Sequence, residues 1–171
     1  MQTAMEAMMK LQVKAVMGCV MILMVILPAA LVQAEDVMKL VVNQTSLSKA
    51  QAWVDFLKKN EISVDPVAPA DFGKVKSNFF ITIEGGMDDP AIQKLVTEVV
   101  GSAEADALSK PGAKKMFMKE NVWQPGQKVL VFAGSNADAA AAARVDSREA
   151  WMKHLKAWFD LGEGPGGLKA Y

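Results

Sequence analysis

FFITIEGGMDDPAIQKLVTEVVG, residues 79–101, decides the fold. Residues 79–84 are a short apolar run rich in aromatic and β-branched side chains, which reads as a strand. Gly85 and Gly86 supply the tight turn that ends it, since glycine brings no Cβ into a reversal. Asp88 or Asp89 then caps a helix with Pro90 at its first position. Ile92, Leu95, Val96, Val99 and Val100 recur on one face of that helix until Gly101 stops it. A strand, a glycine turn and an amphipathic helix open a β-α-β crossover, so parallel partner strands are expected on either side.

Toward the N-terminus, residues 37–43 (VMKLVVN) read as a strand, and Thr45 or Ser46 caps a helix that carries Leu47, Ala50, Trp53, Val54 and Leu57 inward. Residues 62–67 alternate apolar with polar and fit an edge strand, because Pro66 and Pro69 follow and cannot serve a central ladder. Residues 69–77 read as a loop. Toward the C-terminus, residues 102–127 carry turn signals at Pro111-Gly112 and from Trp123 to Gly126, which suggest a short helix and a hairpin. Residues 128–133 (KVLVFA) form the fourth strand, and Gly134-Ser135-Asn136 leads into the alanine run 139–143. Asp146 to Glu149 has capping-box spacing and restarts a helix that turns Trp151, Leu155, Trp158 and Phe159 inward. The expected fold is α/β, a three-layer sandwich around a mostly parallel four-stranded sheet with Rossmann-like or flavodoxin-like topology.

Residues 1–34 have the order of an export signal. Lys10 and Lys14 give the positive segment, residues 15–32 are uncharged and apolar, and Val32-Gln33-Ala34 precedes the expected cleavage after Ala34. A shorter signal beginning at Met9 has the same features. The alternative is an uncleaved anchor, the one membrane contact expected. The expected organisation is a signal peptide at 1–34, a single α/β domain at 35–161 and a flexible glycine-rich tail at 162–171, exported to the periplasm or cell surface. Cys19, the chain's one cysteine, leaves with the signal, so the exported part has no disulfide, thiolate metal site or thiol nucleophile. Residues 35–171 hold 17 Lys and Arg against 18 Asp and Glu, a net charge of −1, with no basic block for a phosphate backbone. Nucleic acid is therefore not an expected partner.

Ligands of open parallel sheets bind at the carboxyl ends of the strands, where helix amides point and chain reversal opens a crevice. Three turns fall there: Asn43 with Thr45 and Ser46; Glu84 with Gly85 and Gly86; and Gly134 with Ser135 and Asn136. Gly134-Ser135-Asn136 has the make-up of a small anion nest, or simply of a tight strand-to-helix turn. Glu84, Asp88, Asp89 and Asp138 have no calcium-loop spacing, so no metal is expected, and Asp88 and Asp89 suit helix caps. His154, the sole histidine, flanks an apolar stripe. G-x-S-x-G, H-E-x-x-H, G-x-G-x-x-G and a P-loop are all missing, so neither catalytic residues nor a cofactor are expected. A carboxylate pair of Glu84 and Asp138 is the remaining enzymatic option. Of the four tryptophans, Trp53, Trp151 and Trp158 lie on helix faces and read as core rather than as a carbohydrate platform with Trp123.

FFITIEGGMDDPAIQKLV and WQPGQKVLVFAGSNADAAAAA resemble an α/β domain of archaeal S-layer and related surface proteins. The resemblance lies in Gly85 and Gly86 before a capped helix, Trp123 and Gly126 before a strand, and Ala133 and Gly134 before the run 139–143. Ser135-Asn136-Ala137 stands where that family has an Asp-Arg pair. The resemblance implies a non-enzymatic cell-envelope domain that binds an envelope protein or surface polymer, in an oligomeric state the sequence leaves open. The alternative is a periplasmic small-molecule or anion binder using the strand-end turns.

Overall fold

In the computed structural model, residues 37–161 are described, and they belong to one unit, Ala34–Tyr171. The expected signal segment at 1–34 and the expected flexible tail at 162–171 lie outside the described residues. The chain runs β1 (Met38–Val42), α1 (Gln44–Lys59), β2 (Val64–Val67), a 3-10 turn (Pro69–Lys74) and β3 (Phe80–Gly86). It continues through α2 (Pro90–Val100), α3 (Ser102–Leu108), β4 (Lys114–Glu120), β5 (Lys128–Gly134), α4 (Ala137–Asp146) and α5 (Arg148–Trp158). Among the described residues no helix is long and apolar enough to cross a membrane.

The α/β class holds, but the sheet has five strands in the order β2-β1-β3-β5-β4, not four. β2, β1, β3 and β5 are parallel, and β4 runs antiparallel to β5 at the far edge. The extra strand lies within residues 102–127 and forms a hairpin with β5, which begins after that segment, not with a second strand inside it. Its sequence, KKMFMKE, buries only Phe117 below a tenth of its surface, so the apolar signal of a strand is weak and pairing with β5 establishes it.

Side-chain alternation divides the core in two, as expected of a sheet covered on both faces. Val41, Ile81, Ile83, Val129 and Val131 face α2, α3 and the 3-10 turn. Met38, Leu40, Val42, Leu130 and Phe132 face α1 and α5. On that second face Trp53 meets Phe132 and Trp151 edge-on, with ring centroids 5.6 and 5.9 Å apart, a geometry that favours the aromatic quadrupoles. The alanines of α4 do what small residues permit: Ala140 and Ala143 are buried, which seats the helix close on the sheet.

Candidate functional site

A doubly wound sheet has its crevice where successive crossovers leave in opposite directions. In this sheet β1 is flanked by β2 and β3, so the switch point lies between the carboxyl ends of β1 and β3. Asn43, directly after β1, caps α1 in extended backbone, its Oδ1 accepting from the Ser46 amide at 2.8 Å. Its Nδ2 donates to Asp89 Oδ2 at 2.7 Å. The other Asp89 oxygen accepts from the amides of Ala91 and Ile92 at 2.8 and 3.2 Å and caps α2. One hydrogen bond between two capping side chains thus spans the switch point. Donation from Asn43, helped by the two backbone amides, holds the Asp89 carboxyl below the ordinary carboxylate range.

The third turn joins the same cluster. Asn136 caps α4 by accepting from the Ala139 amide at 2.9 Å, and the Met87 amide donates to the Gly134 carbonyl at 2.8 Å. Glycine is needed here for close approach of chain to chain. A Cβ on Gly86 would lie 2.5 Å from the Asn136 backbone, and one on Gly134 would lie 2.5 Å from Ala139 Cβ. Beside Gly85 the space is taken by Ile92. Asn43, Gly86, Gly134 and Asn136 are therefore brought together by contacts among the three turns. Ser135 turns away: its amide donates to the Ala113 carbonyl, and its Oγ accepts from the Gly112 amide at 3.1 Å. Thr45 is exposed on the first turn of α1, whereas Ser46 is fully buried.

Glu84, the last side chain of β3 before the glycines, is also fully buried. Strand alternation turns it toward α1 and α4, where Arg144 Nε donates to Glu84 Oε2 at 2.9 Å. The guanidinium, 3 % exposed, donates further to the Lys49 carbonyl at 2.9 Å and stacks 5.7 Å from the Trp53 ring. Trp151 Nε1 donates to the Arg144 carbonyl, which ties α5 to the same point. Burial pushes the Glu84 carboxyl up to about 7, outweighing the opposing pull of Arg144. Glu84 Oε1, Ser46 Oγ and Trp53 Nε1 have no hydrogen-bond partner, so polar capacity remains on this face of the sheet.

Arg144 was not among the sequence-derived site residues. The signal for it is its spacing: it falls four residues after Ala140, on the face of the alanine helix that packs inward. Asp138 does not join Glu84, because its carboxylate stands in solvent, paired with Lys49 at 2.6 Å. No group of three or more metal-ligating side chains occurs among the described residues. Trp123 packs on Phe72 and donates its indole N–H to Glu98 at 2.6 Å, so its ring serves a local cluster. A shallow cavity of about 660 Å³ lies elsewhere, on α5, lined by Glu149, Met152, Lys153, Lys156, Ala157 and Leu161.

No family model, curated protein or solved structure matches the chain.

Proposed function

We propose that this chain is an exported, non-enzymatic domain of the cell envelope, S-layer-like and flavodoxin-like in strand order, that binds a protein or surface polymer through its outer surface. The observation that carries this reading is the occupied switch point. Asn43 bonds to Asp89, and Gly86 and Gly134 lie against the start of α4 at Asn136 and Ala139, where a doubly wound domain would admit a small substrate. Glu84, the carboxyl best tuned for proton transfer near neutral pH, has no exposed surface from which to meet one. Recognition then falls to the surface, where lysines and carboxylates alternate in exposed pairs. The test is saturable co-sedimentation of the protein, recovered from cells expressing the full chain, with isolated envelope fragments. Protease or glycosidase treatment of the fragments then identifies the partner class. Protein that stays entirely in the supernatant at every fragment concentration sinks the reading.

A second reading, a small polar molecule held beneath the strand-end turns, draws support from the unpartnered Glu84 Oε1, Ser46 Oγ and Trp53 Nε1. It requires the link between Asn43 and Asp89 to open. Thermal-shift screening against anions and sugars tests it, and no shift for any of them removes it.

A further inference from the structure

We propose that β4 is a self-pairing edge, through which two copies of this domain dock antiparallel about a two-fold axis at Phe117 and join their five-stranded sheets into one. The inference stands apart from the envelope-binding reading and uses only the ladder at the sheet's far edge.

β4 is the last strand of the sheet, and among the described residues no strand pairs with its outer side. The inner side fixes which groups face outward. Ser135 donates to the Ala113 carbonyl and Asn121 to the Gln127 carbonyl, and both pairs continue the register of β4 on β5. Antiparallel ladders alternate hydrogen-bonded and non-hydrogen-bonded pairs. Lys115, Phe117 and Lys119 therefore bond inward to β5. The N–H and C=O groups of Lys114, Met116, Met118 and Glu120 point outward, a template for another strand.

That template is complementary to itself. With the axis at Phe117, Met116 of one copy meets Met118 of the other in a hydrogen-bonded pair, and Lys114 meets Glu120. Each of these pairs occurs twice by symmetry. Directly opposed residues of opposite charge and apolar residues in register both favour cross-strand pairing. Lys115 faces Lys119 of the other copy, but its charge is already balanced by Glu104, whose two oxygens accept from its Nζ at 3.0 Å. Lys114 and Glu120 have exposed partners within the chain, Asp146 and Lys128, each at 2.6 Å, and such surface pairs exchange at little cost. Lysines on an edge also serve to keep strands apart, but here a cation at one end is matched by a carboxylate at the other.

The test is sedimentation velocity over a concentration series, on protein recovered from cells expressing the full chain. The wild type should show a concentration-dependent dimer. Lys114→Glu and Glu120→Lys each set like charges against each other twice, and each should weaken the dimer on the order of tenfold. Mixed in equal amounts, the two variants should regain wild-type affinity as a heterodimer. In that heterodimer the substituted carboxylate of the first variant faces the substituted ammonium of the second, and the unchanged Glu120 of the first faces the unchanged Lys114 of the second. Broken pairing within the chain cannot produce that recovery, since each variant keeps its own lost internal partner. Met118→Pro removes an outward N–H while sparing the ladder to β5, and it should abolish the dimer with the circular dichroism spectrum unchanged. A wild type that is monomeric at every concentration overturns the proposal, as does a mixture that associates no better than the separate variants.

Discussion

Between about pH 4.5 and about pH 7 the domain should lose stability as the pH rises, and Glu84→Gln should remove that loss. In the fold Glu84 holds its proton up to about 7, whereas the unfolded chain releases it near 4.5. Across that window the folded state binds more protons than the unfolded one, so the slope of stability with pH is negative. Below the window both states are protonated and the contribution is fully present; above it both are ionised and the contribution is gone. One pKa unit is about 1.4 kcal/mol, which makes the loss about 3 kcal/mol. Asp89 and Glu98 work in the opposite sense. Their carboxyls are held below the ordinary range, by Asn43 and by Lys76 respectively, so their contribution disappears as the pH falls. Comparing Glu84→Gln with the wild type at each pH cancels that shared background. The amide keeps a carbonyl that can accept from Arg144, so the geometry of the pair is conserved. Urea unfolding followed by the fluorescence of the buried Trp53 and Trp151 is the assay. The stability of the variant minus that of the wild type should grow by about 3 kcal/mol from the acid to the alkaline end of the window. A difference that stays flat refutes the claim that burial, rather than Arg144, governs this carboxyl.

Arg144→Met should cost about 3–5 kcal/mol at pH 8, because it removes the bond to the Lys49 carbonyl and the contact with Trp53 as well as the counter-charge of Glu84. It should cost about 1.4 kcal/mol less at pH 5, since a Glu84 without Arg144 takes up a proton at pH 8 rather than stay a lone buried carboxylate; denaturant titrations at the two pH values measure both numbers. Asn43→Ala removes the cap of α1 and the tether to Asp89, for a loss of about 1–2 kcal/mol. Asn43→Asp should recover little of it, since it keeps a capping oxygen but sets a second carboxylate against Asp89; melting temperatures of the two variants decide this. Gly86→Ala should destabilise by about 1–3 kcal/mol because its Cβ meets the Asn136 backbone, which cannot swing aside as a side chain would. Gly73→Ala, with open space around its Cβ, is the near-neutral control in the same thermal series.

Much of the fold was legible because its signals are local. The strand and helix of residues 79–101 are observed, with Asp89 as the cap, Pro90 at the first helical position and Gly101 at φ +90° as the stop, but Gly85 and Gly86 extend β3 in register with Ala133 and Gly134 and the turn falls after them, at residues 87–89. Smaller details were set by geometry a few residues beyond each signal. α1 starts one residue after Asn43, whose side chain reaches the Ser46 amide, so Asn43 caps in place of Thr45 or Ser46 and Ser46 becomes an interior residue. The loop after residue 69 tightens into a 3-10 turn that buries Phe72. The alanine run and the tryptophan stripe are separate helices broken at Ser147, with no side-chain cap at the restart.

The site was legible as a place and much less as a set of contacts. The rule that ligands approach strand carboxyl ends identified the three turns, but it could not say that their caps would bond to one another or that Ser135 would turn to Gly112. The sequence by itself determined the alternation of strand and helix and the Asp89-Pro90 start of α2, since each depends on side-chain period and backbone preference over a few residues. Only the tertiary structure decided the fifth strand and the buried pair. β4 has too little apolar character to declare itself and exists through its ladder to β5. Glu84 and Arg144 lie 60 residues apart and meet only because the sheet order puts α4 over the end of β3, where burial couples two charges of residue types that are mostly exposed in folded proteins.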